Sequence, residues 1–166
     1  MAVLEIKKFG CPVLRKKGAP VEAVTDETRQ LIDEMFETMY AEEGIGLAAP
    51  QVGVLLRFFL IGLDGDPESV RAYINPQLTL GDTIETMEEG CLSVPGVFTK
   101  IRRYKTCEVT AQDLQGHTFT DTADGLYARC LQHEYDHLEG VTLVNRMGTT
   151  APIVHRKQLK KLEEEA

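Results

Sequence analysis

Leu31, Ile32, Met35, Phe36, Met39 and Tyr40 recur at i, i+1, i+4, i+5, i+8 and i+9, the spacing that gathers apolar side chains on one helical face. Thr25 or Asp26 supplies an N-cap and Gly44 a stop. The apolar run from Val52 to Leu63 predicts a buried strand, and Val70 to Ile74 and Gln77 to Leu80 predict short ones. Thr106 to Gln112 and His117 to Thr122 read as a hairpin turning at Leu114-Gln115-Gly116. A helical pattern returns from Ala123 or Asp124 to Leu138, with Gly140 beyond its end, and a last helix is expected from Thr150, with Pro152 in its first turn, to about Leu162. Helix, then strands, then helices is the signature of an α+β fold. Glu163, Glu164 and Glu165 put negative charge at a helix C-terminus, so the tail is expected to fray.

The 166 residues, 43% of them hydrophobic, suit one buried core, and a single domain over 1–166 is expected. With 26 acids against 18 Lys and Arg the net charge is -8, which argues against a protein that neutralises many phosphates. The longest uncharged stretch, residues 44–56, falls short of the roughly 20 apolar residues that span a bilayer. The N-terminus lacks an apolar signal region and organelle-type character, which fits a cytoplasmic protein. Cys11, Cys91, Cys107 and Cys130 form no CxxC pair and no disulfide framework.

His133-Glu134-Tyr135-Asp136-His137 carries the chemistry. At about 100° per residue the two histidines lie roughly 40° apart around the helix axis, one turn above the other, so both can reach one metal ion. Glu134 is near enough to touch a metal-bound water without being a ligand. A catalytic site with an open water position wants a third ligand. The position where metzincins carry a downstream histidine is Leu143, and neither Glu139 nor the tail acids are attractive. An upstream thiolate suits two imidazoles best. Cys130 falls on the stripe 126, 130, 133, 137 and reads as packing, Cys107 alternates with Val109 and Ala111 as a core strand residue, and Cys11 has no chemical neighbours. Cys91 follows Gly90 and precedes a polar turn, although spacing alone leaves the choice open.

Three segments together, GIGLAAPQ at 44–51, EGCLS at 89–93 and HEYDH at 133–137, resemble the signature motifs of the peptide deformylase family in type, order and approximate spacing. HExxH alone is shared by many metallohydrolases; the three together are specific. The resemblance implies mainly antiparallel β-sheets packed around a central HExxH helix, with an amphipathic helix in the N-terminal half and another at the C-terminus. It places the metal ligands on Cys91, His133 and His137 and the general base on Glu134. Gln51 and the Leu92 backbone N–H would bind the developing oxyanion. Backbone groups of Ile45, Gly46 and Gly90 would pair with an extended peptide, and Ile45, Leu126, Cys130 and the face of His133 would line an apolar P1′ pocket. Arg129 stands near that pocket, where its stem would line the mouth with the guanidinium in water. Arg103 and Asp136 are expected to pair behind the metal. Phe98 falls in residues 94–100, where some relatives carry a substrate-contacting arginine, and that loop has no assigned role.

The activity implied is hydrolysis of the N-formyl group from formyl-methionyl nascent peptides with release of formate. One divalent ion per chain is implied, Fe²⁺ first, with Zn²⁺, Ni²⁺ or Co²⁺ able to replace it. The rivals are an HExxH metallopeptidase, which lacks its downstream ligand here, and a non-catalytic domain with a structural metal, which leaves Glu134 and Gln51 without a task. A cytoplasmic monomer with no direct nucleic-acid or membrane binding is expected. Arg156, Lys157, Lys160 and Lys161 offer a basic face for a ribosome contact, and a solvated helix is the plainer reading.

Overall fold

Thr25 caps the first helix, α1 (Asp26–Ala41), its side chain accepting from the Thr28 N–H, a contact worth about 1 kcal/mol. Ile32, Met35 and Met39 are buried on the expected face, whereas Tyr40 at its edge is exposed. Thr38 is also buried, because its hydroxyl donates to Glu34 O and accepts from the Leu4 N–H. These features are seen in a computed structural model that describes residues 3–166.

Seven strands follow: β1 (Gly46–Ala48), β2 (Phe58–Ile61), β3 (Arg71–Leu80), β4 (Ile84–Cys91), β5 (Val94–Tyr104), β6 (Thr106–Gln112) and β7 (Thr118–Asp124). They form an antiparallel sheet in the order β1-β2-β3-β6-β7 and a separate β4-β5 hairpin. The helix α2 (Gly125–Leu138) carries the HExxH motif. Three further helices, α3 (Leu143–Arg146), α4 (Ala151–Val154) and α5 (Arg156–Glu165), close the chain. The α+β architecture expected from the chain order is therefore present.

Side-chain alternation along β2 explains why all four of its residues are buried. Phe59 and Ile61 join Tyr73, Val109, Ala128 and Leu131 beneath α2. Phe58 and Leu60 join Met35, Met39, Leu47 and Ile74 beneath α1. A third cluster, including Val97, Ile101, Leu143, Leu159 and Leu162, packs the hairpin against the C-terminal helices. No helix among the described residues is long and apolar enough to cross a membrane.

Several elements differ from expectation. The strand expected over Val52 to Leu63 is only β2; Ala49–Val52 is a 3-10 turn ended by Gly53 at φ 86°. The two short strands expected before and after Pro76 are one, β3, with an irregular register between Ile74 and Gln77. Asn75 adopts φ 51° there, and its side chain grips the Val21 backbone from both sides. The single last helix is broken at His155 into α4 and α5. The helix runs on to Glu165, with Leu159 and Leu162 buried, and Gly10 admits the backbone of Glu163 so closely that a Cβ would lie 2.8 Å from the Glu163 Cα.

Candidate metal centre

The sheet and the hairpin meet over α2. Cys91 closes β4, and Cys91, His133 and His137 offer ligand atoms that all lie within 4.8 Å of one another, a span suited to one ion bonded at about 2.0–2.3 Å. Cys91 Sγ is 3.5 Å from His137 Nε2. The His133 and His137 rings are 5.2 Å apart, as expected for i, i+4 neighbours on a helix. Burial would raise the Cys91 thiol, but the imidazoles of His137 and His133 beside it hold it well below its ordinary value. The thiolate is the form that binds metal.

Glu134 is buried one residue along the helix, with Oε2 4.0 Å from His133 Nε2. Its Oε1 has no hydrogen-bond partner among the described residues. A buried carboxylate oxygen without a donor is costly unless water satisfies it, and a water on the adjacent metal would do so. Burial raises the Glu134 carboxyl above its usual range despite the nearby histidines, which favours proton acceptance near neutrality. Gly46 makes this arrangement possible: a Cβ there would lie 2.5 Å from Glu134 Oε2.

Gln51 enters from the 3-10 turn after β1 and is 1% exposed. Its Oε1 accepts from the Ala48 N–H at 2.9 Å, fixing the amide so that Nε2 donates to Ser93 Oγ at 3.0 Å and lies 3.7 Å from Cys91 Sγ. The N-terminal segment ties the two loops together. The Lys7 N–H donates to Gln51 O and the Phe9 N–H to Ser93 O.

These groups floor a cleft of about 670 Å³. Ile45, Gly46, Gln51, Gly90, Cys91, Leu92, Leu126, Arg129, Cys130, His133 and Glu134 all line it. His137, Arg103 and Asp136 lie behind this surface and are buried. The Gly62 N–H donates to Ile45 O, which turns the backbone groups of Ile45 and Leu47 toward β2 and those of Gly46 toward the open edge of β1. Residues 94–100 are no loop: they lie in β5, and Phe98 packs its ring against Gly90.

Behind His133 stands a carboxylate that the sequence reading passed over. Glu89 Oε1 is 2.9 Å from His133 Nδ1, leaving Nε2 free for a metal. Arg103 donates to both Glu89 oxygens, at 2.6 and 3.1 Å, and to Asp136 at 2.9 Å, so the expected Arg103 and Asp136 pair is present within a larger cluster. Arg146 adds two bonds to Asp136. Burial acts to raise the Glu89 carboxyl, but His133 and Arg103 outweigh it and hold the group at about 2. Glu89 precedes Cys91 by two residues at the end of β4, across an irregularity in its pairing with β5. Arg129 departs from expectation. Its guanidinium is buried and bonded to Glu89 rather than in water.

An HExxH helix crossed by a cysteine-bearing hairpin is the site of a metal-dependent hydrolase. The polypeptide deformylase family model matches residues 3–152. The chain is 46% identical to a peptide deformylase of Chromohalobacter salexigens, covering 98% of this chain and 95% of that one, and 44% identical to one of Pseudomonas aeruginosa, covering 97% and 96%. The crystal structure of a peptide deformylase from Legionella pneumophila superposes with a TM-score of 0.93 at 38% identity, covering 99% of this chain and 97% of that one. The chain belongs to the peptide deformylase family, a family of metal-dependent enzymes.

Proposed function

We propose that this chain, as one catalytic domain over residues 1–166, hydrolyses the N-formyl group of formyl-methionyl peptides. The convergence of Cys91, His133 and His137 beside the buried Glu134 carboxylate, on the floor of an open cleft, carries this reading. Cys91, His133 and His137 would hold a divalent ion, which would supply Lewis acidity toward a water and the formyl oxygen. Glu134 takes the proton and returns it to the departing amine. The Gln51 Nε2 and the Leu92 N–H donate to the oxygen as it gains charge, the Gln51 amide being held in orientation by Ala48 and Ser93. Gly46 on the β1 edge and Gly90 on β4 hold the peptide as an added strand.

Ile45, Leu126 and Cys130 line the cleft beside His133 and receive the methionine side chain. They offer no buried partner for a charge. Formate release is expected from formyl-Met-Ala and its norleucine analogue, with kcat/KM at least about tenfold lower for formyl-Asp-Ala. Equal efficiency on the Asp and Met peptides rejects the pocket, and cleavage of an unblocked peptide without formate release rejects the activity.

Fe²⁺ is the native metal in this reading, with Zn²⁺, Ni²⁺ and Co²⁺ able to replace it, because one thiolate and two imidazoles suit all four. Anaerobic metal analysis identifies it. The iron form should lose activity in air faster than the nickel form, since ferrous ion adds a metal-centred oxidation route; equal lifetimes count against iron. A nascent-peptide substrate fits a cytoplasmic monomer. On α5, Arg156, Lys157, Lys160 and Lys161 are exposed and provide the face for a ribosome contact.

A further inference from the structure

Arg129 lies one helical turn before His133 on α2, and 5% of it is exposed. Its Nη1 donates to Glu89 Oε2 at 2.6 Å and to Ile101 O at 3.0 Å, and its Nη2 donates to Glu85 O at 2.7 Å. The other Glu89 oxygen, Oε1, faces His133 Nδ1 at 2.9 Å. One helix therefore grips both oxygens of a single carboxylate from positions four residues apart. The terminal torsion of a glutamate is soft and has no sharp preferred angle, so hydrogen bonds must set the plane of the Glu89 carboxylate. Arg103 holds both Glu89 oxygens in a two-bond fork and spends its third nitrogen on Asp136, but it stands on β5, so it does not tie the carboxylate to the helix that bears His133.

We propose that Arg129 is a positioning residue for the metal centre: by anchoring Glu89 Oε2 to α2 it locks the carboxylate to the helix that bears His133, and so holds the His133 ring with Nε2 aimed at the ion. This rests on the metal ligands assigned in the proposed function. The Arg129 guanidinium touches neither Cys91 nor either histidine through any hydrogen bond, so its effect travels through Glu89. Ile101 and Glu85 hold its far side as backbone acceptors on both strands of the hairpin, which keeps the arginine itself from swinging.

Arg129→Leu removes this anchor and leaves Glu89 and Asp136 facing Arg103 and Arg146, a balanced set that does not forbid folding. Arg129→Lys keeps the charge but cannot reproduce the planar fork. Zinc-loaded wild-type, Leu and Lys proteins are transferred into excess chelator, metal release is followed directly, and thermal unfolding and the kcat and KM for formate release are measured alongside. Release from Arg129→Leu should be about 10- to 100-fold faster than from wild type, the usual cost of losing a partner behind a metal ligand. Arg129→Lys should lie between them, and kcat should fall while KM changes little. If Arg129→Leu unfolds at a lower temperature yet holds zinc as long as wild type, Arg129 only staples the hairpin to α2 and the proposal is overturned. Should the Leu protein not fold, wild-type release from the Lys protein overturns it equally. A wild-type chain that binds no zinc overturns the metal assignment itself, a failure distinct from unaltered release in the variants.

Discussion

Cys91→Ala should lose its metal while Cys130→Ala keeps it. Removing a first ligand costs more than the roughly 10–100-fold typical of a residue behind one, so affinity should weaken by at least about 10²-fold and two imidazoles alone should not hold the ion through dialysis. Cys130 lies on the same helix as the histidines, but it packs with Val109, Ala128 and Leu131 in the core beneath α2. Burial and the nearby Glu134 charge push its thiol up to about 12, which leaves it protonated and a poor ligand. The check is metal analysis of both purified variants after dialysis, with wild type at one ion per chain. Metal retained without Cys91 and lost without Cys130 would reverse the assignment and revive the reading of a structural site.

Legibility followed from how many faces of an element are buried. The HExxH histidines could be placed together because α2 is regular from Gly125 to Leu138 and i, i+4 geometry leaves little freedom. β2 was visible because sheet faces beneath α1 and α2 bury every residue of it. β4 was not, since Ile84–Cys91 carries three glutamates and half of its residues are exposed, so hydropathy shows no period of two. That one omission hid two facts. Glu89 went unnoticed, and without Glu89 nothing in the sequence gave Arg129 a reason to be buried. The break at His155 was equally hidden, because neither Gly nor Pro marks it. By contrast, the family resemblance brought Gly46 and Gln51 to the site together. A glycine-rich apolar segment that ends in one amide makes sense only where backbone must pass close to a polar site, and Gly46 does lie against Glu134.

Glu134→Gln should retain about one metal per chain and lose activity by about 10²- to 10⁴-fold, the usual contribution of a positioned general base. The substitution is nearly isosteric, which matters because Gly46 leaves no spare room against the carboxylate. It also breaks no hydrogen bond at Oε1, which has no partner among the described residues. The fold and the three metal ligands are therefore expected to survive. What disappears is the ability to accept a proton from water and hand it to the leaving amine. KM for formyl-Met-Ala should change much less than kcat, because the peptide is held by backbone edges and the apolar pocket rather than by Glu134. Metal analysis, thermal unfolding and formate release on the same preparation separate the outcomes. A metal-loaded, folded Glu134→Gln protein that releases formate at the wild-type rate would show that Glu134 merely fills the space beside the ion, and the proton transfer proposed for it would have to be assigned elsewhere.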